Sequence, residues 1–177
     1  GPILPNDSKF KNRGSSFQHK FSKIKINIIR SLDLLVIDEI SMVRSDLLDG
    51  IDQVLKRYRD QRKVFGGVQV LMIGDLQQLA PVVNTNEWNL LKSHYETPYF
   101  FSSKAFIESH TVNIELKHIY RQENQEFIRI LNEIRAGEMS ENSINKLNER
   151  YLPNFIPKEN EGFITLTTHN KKAHVLN

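Results

Sequence analysis

The chain of 177 residues contains no cysteine, so it has neither a disulfide framework nor a thiolate metal site. Its apolar runs all fall short of the ~20 residues that a helix needs to cross a bilayer. No signal-peptide pattern opens the sequence, and its six histidines are scattered without the spacing of metal ligands. These absences argue against the disulfide-rich, membrane-spanning and thiolate-zinc classes, and they favour a reducing compartment.

The net charge of +3 is spread unevenly along the chain. Residues 1–32 contain seven basic residues and one acid, which gives +6, whereas the remainder has 17 basic and 20 acidic residues, which gives −3. A basic leading segment indicates an anionic partner such as nucleic acid, although a solvated charged face would have the same composition. Lys9, Lys11 and Arg13 are the candidate contacts to a phosphate backbone, with Phe10 as a stacking surface.

An apolar run at residues 34–37 ends on two adjacent carboxylates, Asp38 and Glu39. The run predicts a strand buried on both faces, and the carboxylates must then emerge at its carboxyl end, where open α/β sheets bind their ligands. An aspartate there can hold Mg²⁺ through its water shell, and the neighbouring glutamate can take a proton from water. This is the chemistry of nucleotide hydrolysis; an acidic turn without chemistry is the alternative.

A second apolar run at residues 68–73 also delivers a carboxylate, Asp75, just beyond its end. Because a helical pattern at residues 47–58 separates the two runs, we expect a parallel sheet with one functional edge. Further strands are predicted at 99–101, around 112–116 and at 162–168. Further helices are predicted with an apolar stripe on Phe17, Phe21, Ile24 and Ile28, at Trp88–Leu91, from a Ser102-Ser103 cap through Phe106, at 127–134 ending at Gly137, from Ser140, and from Lys171 onward.

Three motifs stand in order along the chain, at residues 36–43 (VIDEISMV), 74–82 (GDLQQLAPV) and 116–122 (LKHIYRQ). Together they resemble the motor domains of superfamily-one DNA helicases of the petite-integration-frequency (PIF) and RecD-like type. The closing segment 166–173 resembles the start of the second motor domain of that family. The resemblance implies an α/β, RecA-like P-loop NTPase fold, with residues 1–120 in the first RecA-like domain and 121–177 in the second.

The resemblance also implies a role for each motif residue. Asp38 would hold Mg²⁺ through water, with Asp75 bracing the metal and its loop, and Glu39 would deprotonate the attacking water. Gln78 would sense the γ-phosphate, and Arg121 would be the arginine finger, for which a surface salt bridge is the alternative. The remaining implied residues are Gln122 for nucleotide sensing and Thr168, His169 and Asn170 for nucleic-acid binding.

The phosphate-binding loop of that family, Gly-x-x-x-x-Gly-Lys-Ser/Thr, has no counterpart among the eight glycines. We therefore expect the chain to begin after this loop and to be inactive alone, with ATP and Mg²⁺ bound only by the intact protein. The intact protein would be a monomeric 5′–3′ helicase acting on single-stranded and forked DNA, in the bacterial cytoplasm or another reducing, DNA-containing compartment. A non-catalytic nucleic-acid-binding module remains open, as does a Mg²⁺-dependent nuclease built on Asp38, Glu39 and Asp75.

Overall fold

The structure is a computed structural model that describes residues 2–4, 21–156 and 162–176. The chain divides into two compact units, unit 1 at residues 1–117 and unit 2 at residues 118–177. The candidate contacts Lys9, Lys11 and Arg13 lie outside the described residues. Among the described residues, no helix is long and apolar enough to cross a membrane.

Unit 1 is built on a two-stranded parallel sheet, in which Leu34 pairs with Gln69 and Ile37 with Met72. The connection between the two strands is a helix followed by a glycine turn, as parallel pairing requires. The elements are α1 (Lys23–Ser31), β1 (Leu34–Ile37), α2 (Ser45–Tyr58), β2 (Gln69–Met72), α3 (Thr85–Leu91) and α4 (Lys104–Glu108), with 3₁₀ turns at Ile40–Met42, Val64–Gly67 and Phe100–Ser102.

One face of α2 forms the centre of the core in unit 1. Leu48 is fully buried and Leu55 nearly so. They belong to one cluster of buried residues, whose other members are Ile40, Phe65, Val68, Phe100 and Ala105. The first turns of α2 also bury two carboxylates. Asp46 accepts hydrogen bonds from Arg44 Nε and Nη2 at 2.9 Å and from the N–H of Ile3 at 2.7 Å, while Asp49 accepts from Tyr95 Oη and the N–H of Ala105 at 2.9 Å.

The prediction that the first strand is buried on both faces is wrong for the described residues. Leu35 and Ile37 pack against the core cluster, but Leu34 and Val36 are about half exposed. Leu71 on β2 is exposed on the same alternating pattern, because nothing in the described part of the chain covers that face of the sheet. A continuous apolar run does not reveal which of its two faces is covered.

The predicted apolar stripe of the first helix is also wrong where the structure describes it. Ile24 and Ile28 are exposed by 72% and 55%, whereas Ile29 packs against the core. The helix begins at Lys23, with the Ser22 hydroxyl accepting from the N–H of Lys25, and the face that meets the core carries Ile29 and not Ile24 and Ile28.

Two predicted strands of unit 1 do not form. Phe100–Ser102 is a 3₁₀ turn that buries Phe100 while Tyr99 makes an isolated bridge to Arg44. Residues 110–117 have no regular structure, and Val112, Ile114 and Leu116 are more than 80% exposed. An alternating pattern becomes a strand only beside a partner, and the described residues supply none here.

Unit 2 contains α5 (Gln125–Ala136), α6 (Glu141–Asn148) and α7 (Asn170–Leu176). The predicted C-terminal end of α5 and the predicted start of α6 are confirmed. Gly137 closes α5 at φ 71°, and the Ser140 hydroxyl accepts from the N–H of Ser143 to cap α6. The strand predicted at 162–168 is absent from its described residues, which are mostly exposed.

Candidate functional site

The motif segments that follow β1 and β2 lie side by side at one edge of the sheet. The N–H of Ile73 donates to the carbonyl of Ile37, and the N–H of Ile40 donates to the carbonyl of Ile73, both at 2.9 Å. These bonds extend the pairing of the parallel strands past their formal ends. Asp38 directly follows Ile37, and Asp75 lies two residues after Ile73. Both aspartates are therefore at the same carboxyl edge of the sheet.

A glycine makes this close approach possible. A Cβ at Gly74 would lie 2.9 Å from Ile40 Cγ2, 3.0 Å from Ile40 N and 3.2 Å from Ser41 N. Two of these contacts are with backbone atoms that cannot turn aside as a flexible side chain would. Any other residue at position 74 would separate the two motif segments. Gly74 belongs to the second motif, but its residue type alone did not indicate this steric role.

Glu39 stands in the left-handed region, at φ 51° and ψ 44°. For a residue other than glycine this conformation costs about 1–3 kcal/mol, and such strain is concentrated at functional sites. Its N–H donates to Asp38 Oδ1 at 2.9 Å, which anchors the turn and leaves Asp38 Oδ2 for another ligand. The Glu39 carboxylate is exposed and has no hydrogen bond or ion pair within the described residues. It is therefore available to act on a bound water.

The loop after β2 is organised by the Asp75 carboxylate. Asp75 Oδ1 accepts from the N–H of Gln77 and Oδ2 accepts from Gln78 Nε2, both at 3.1 Å. Gln78 is exposed, and its amide oxygen has no partner in the described part of the chain. In this arrangement Asp75 positions Gln78, which suits the predicted bracing role better than direct metal ligation.

The chemistry of the donor set at this edge fits a magnesium ion held mainly through water. Asp38 offers one carboxylate oxygen beside the open Glu39 carboxylate, and Mg²⁺ typically takes only one or two carboxylates while keeping several waters. Among the described residues, no group of three or more histidine, cysteine or carboxylate side chains is placed to hold a metal. The three-carboxylate cluster that a nuclease would build on Asp38, Glu39 and Asp75 therefore finds no support.

Ser41, which follows in the same motif, was missed by sequence reasoning. It is 1% exposed, and its Oγ is the buried side-chain atom without a hydrogen-bond partner among the described residues. A buried hydroxyl without a partner costs about 1–3 kcal/mol, so its position needs a reason. No property of a lone serine in the sequence distinguishes it from a surface residue.

In unit 2, Arg121 is exposed and has no ion pair or hydrogen bond within the described residues. The alternative interpretation as a surface salt bridge thus has no partner there. Gln122 has a structural task, because its Oε1 accepts from the N–H groups of Glu123 and Asn124 at 3.0 Å and so organises the start of α5. Its predicted part in nucleotide sensing stays a prediction.

The other predicted DNA-contact residues lie just before and at the start of α7. Thr168, His169 and Asn170 are exposed. Thr168 Oγ1 lies 2.9 Å from His169 Nδ1, and Thr167 Oγ1 donates to the carbonyl of His169 at 3.1 Å. The segment is thus a locally bonded, accessible turn.

Comparison with protein families matches residues 12–145 to the family described as PIF1-like helicase. Among curated proteins, the human ATP-dependent DNA helicase PIF1 is 39% identical over 107 residues, which are 60% of this chain and 15% of that protein. The ATP-dependent DNA helicase RRM3 of Saccharomyces cerevisiae is 38% identical over 111 residues, 63% of this chain and 14% of that protein. The chain thus spans about one seventh of the length of these relatives.

Solved structures give the same result over more of the chain. The Pif1 helicase from Bacteroides in complex with ADP-AlF3 and ssDNA superposes with a TM-score of 0.87 and 35% identity, over 99% of this chain and 39% of that one. A second structure, Bacteroides Pif1 bound to ssDNA, has a TM-score of 0.76 and 40% identity over 84% of this chain and 33% of that one. The predicted α/β, RecA-like fold is confirmed.

Proposed function

The chain belongs to the PIF1-like helicase family, and from that premise we propose that it forms part of the ATP-hydrolysing motor of a DNA helicase. The relatives are ATP-dependent DNA helicases, and the solved neighbours include complexes with ssDNA and with ADP-AlF3. The observation that carries the proposal is the joining of Asp38 and Glu39 to Asp75 and Gln78 at one sheet edge, with the Glu39 carboxylate unengaged.

Each residue at this edge has a distinct task in the proposal. Asp38 holds the water shell of Mg²⁺, which when bound neutralises charge on the nucleotide phosphates. Glu39, whose carboxylate is exposed, accepts the proton of the attacking water. Gln78 is held by Asp75 through its amide nitrogen, and its amide oxygen would bond the same water. Arg121, in unit 2, meets negative charge that develops only in the transition state.

The chain covers only a small part of the length of its relatives. The activity of the whole protein is therefore also proposed and not observed. We expect a monomeric motor that moves 5′ to 3′ on single-stranded DNA and opens forks. We also expect the 177-residue chain alone to lack turnover, since no glycine-rich loop in it offers backbone amides and a lysine to the triphosphate.

The decisive experiment is Glu39→Gln in the full-length protein. The amide cannot take a proton but leaves the metal-holding Asp38 in place, so turnover should fall by orders of magnitude while nucleotide binding persists. DNA-stimulated phosphate release and binding of a fluorescent ATP analogue measure the two quantities. The matched control is Glu96→Gln, an exposed glutamate of unit 1 away from the motif segments.

Near-normal turnover of Glu39→Gln would show that Glu39 is not the base. For the 177-residue chain, the corresponding assay contains Mg²⁺ and single-stranded DNA. Hydrolysis by that chain that Glu39→Gln abolishes would contradict the expected inactivity.

A further inference from the structure

A basic cleft lies at the edge of unit 1 opposite the motif carboxylates. Its cavity of about 370 Å³ is lined by residues from the ends of two helices and from the glycine turn before β2. The residues that matter here, which define the basic cleft, are Arg30, Arg59, Asp60, Lys63, Gly66 and Gly67. Arg30 precedes β1 and Gly67 precedes β2, so the cleft is at the amino ends of the strands. A four-residue strand spans about 13 Å, which separates the cleft from the nucleotide edge.

Arg59 is held in place by hydrogen bonds, and none of the three cations of the cleft has an ion pair within the described residues. Arg59 Nη1 donates to the carbonyls of Ile29 at 3.2 Å and Arg30 at 2.6 Å, where it caps the last turn of α1. Its Nε and Nη2 have no hydrogen bond within the described residues, and neither Arg30 nor Lys63 has an ion pair there. A guanidinium with a fixed plane and free donors is suited to a phosphate group.

The one acid of the cleft is already engaged. Asp60 Oδ1 accepts from the N–H of Arg62 at 2.9 Å and lies 3.5 Å from Arg62 Nε. The backbone N–H of Arg62 is the main cause that holds the pKa of Asp60 below its usual range. The Asp60 carboxylate is thus bonded within its own turn, and the cleft keeps more positive than negative charge.

Glycine forms the floor of the cleft for a steric reason. A Cβ at Gly66, where φ is 61°, would lie 2.6 Å from the carbonyl oxygen of Leu55 and 3.1 Å from Arg59 Cβ. At Gly67, where φ is 77°, it would lie 3.1 Å from Lys63 Cδ. The turn therefore packs tightly against the end of α2, beside Arg59, and carries Lys63 along its side.

From this arrangement we propose that the basic cleft binds the phosphate backbone of DNA as a second contact, separate from the motor's nucleotide edge. The cleft is small, more polar than apolar and lined also by Tyr58, and its three cations outnumber its one acid, which suits single phosphate groups better than a folded protein surface. The contact would not depend on sequence, and its affinity would depend on salt. This inference rests on the proposed helicase function for the presence of DNA.

The test is Arg30→Ala combined with Lys63→Ala in the full-length protein, since neither side chain makes a bond that holds the fold. Arg59 is left intact because it caps α1. The matched control is Lys92→Ala combined with Lys104→Ala, two exposed lysines of unit 1 outside the cleft. Anisotropy titrations over a range of salt concentrations use a single strand of about 8 nucleotides and a longer single strand joined to a duplex. A labelled polyglutamate probes for an acidic protein partner.

We expect the cleft variant to bind the longer probe about two- to thirtyfold more weakly, as for the loss of two exposed ion pairs. The log–log salt slope should flatten by about 1.4, which corresponds to two phosphate contacts on a single strand. The short strand, the control variant and ATP hydrolysis at saturating DNA should be unaffected.

Three results would overturn the proposal. Unchanged affinity and slope for the longer probe would leave the cations as solvent-facing charges. An equal loss of affinity for both DNA probes would mean that Arg30 and Lys63 belong to the motor's main DNA-binding site. A loss of affinity for polyglutamate alone would indicate a protein partner. Failure of the proposed function itself is recognised separately, by absence of DNA-stimulated hydrolysis in the unaltered protein.

Discussion

Unit 1 packs seven buried apolar residues into one cluster around α2, whereas the apolar residue buried in the described part of unit 2 is Ile130, at 3% exposure. Unit 2 is instead organised by polar groups. Glu133 pairs with Arg129, accepts from the N–H and hydroxyl of Ser140, and so connects α5 to the start of α6. Arg129 also donates to the buried hydroxyl of Ser143 at 3.1 Å. Similar amphipathic patterns can therefore give a packed core in one unit and a hydrogen-bonded corner in another.

The largest expected effect is a loss of ATP turnover when a residue of unit 2 is changed. In the full-length protein, Arg121→Ala should lower turnover by about 10³–10⁵ with ATP binding largely kept, because an arginine finger acts on transition-state charge. Combined with Glu39→Gln, the losses should not add, since both residues serve one chemical step. Steady-state kinetics of the two single variants and the double variant measure this.

If the losses of turnover in the two single variants add in the double variant, Arg121 and Glu39 act in different steps. An Arg121→Ala variant with normal turnover and only a lower melting temperature would assign Arg121 a structural part in unit 2.

The next effect compares carboxylates in the two units. Asp46→Ala in unit 1 should destabilise the fold by about 3 kcal/mol, because the buried carboxylate accepts hydrogen bonds from the Arg44 guanidinium and from the N–H of Ile3, although Arg44 keeps its ion pair with Glu87. Glu149→Ala in unit 2 removes only an exposed ion pair with Lys146 and should cost less than about 1 kcal/mol. Urea unfolding of both variants tests the contrast, and equal costs would contradict it.

A smaller loss of folding stability is expected from Tyr95→Phe in unit 1. The change keeps the ring but removes the hydroxyl that donates to Asp49 Oδ2, so a buried carboxylate oxygen loses its partner at a cost of about 1–3 kcal/mol. Burial, with the hydrogen bond to Asp49 next, raises the pKa of the Tyr95 hydroxyl, which therefore remains a donor at neutral pH. Tyr151→Phe, on an exposed tyrosine of unit 2, is the matched control. A change of stability no larger than the control's would show that the hydrogen bond contributes nothing.

The smallest effect is a pH dependence confined to unit 2. The hydroxyl of Ser143, followed by the N–H and hydroxyl of Ser140, lowers the pKa of Glu133 from its usual 4.5 to about 2. Because the pKa is lower in the folded state, the stabilisation is complete above about pH 4.5 and is lost as the pH falls toward 2. Hydrogen exchange of α5 and α6 amides should therefore quicken across this window beyond its intrinsic dependence on pH.

Glu133→Gln supplies the control, since its amide does not titrate and the acid-dependent part of the exchange should disappear. An identical pH profile in the variant and the unaltered chain would mean that Glu133 does not stabilise the corner of α5 and α6.

Several local features could be predicted from the sequence because their causes are local. Gly137 ends α5 through a left-handed conformation that costs glycine little, and Ser103 and Ser140 begin α4 and α6 through hydrogen bonds within one turn. The carboxylates Asp38 and Asp75 at one sheet edge also followed from two apolar runs joined by a helical connection. The motif residues, by their types and spacing, indicated the family.

Other features depend on neighbours that sequence periodicity does not identify. Whether Val36 is covered, whether residues 110–117 find a strand to pair with, and whether Ile28 or Ile29 meets the core are decided by which surfaces the fold brings together. The close approach of Gly74 to Ile40 and Ser41, and the burial that leaves the Ser41 hydroxyl without a partner among the described residues, likewise depend on contacts between segments remote in the chain. Residue types and local patterns were thus enough to predict the family, the C-terminal end of α5 and the acids at the ends of the two strands, since each depends on neighbours in the chain. Burial and the basic cleft could not be predicted in this way, because both arise from contacts between elements.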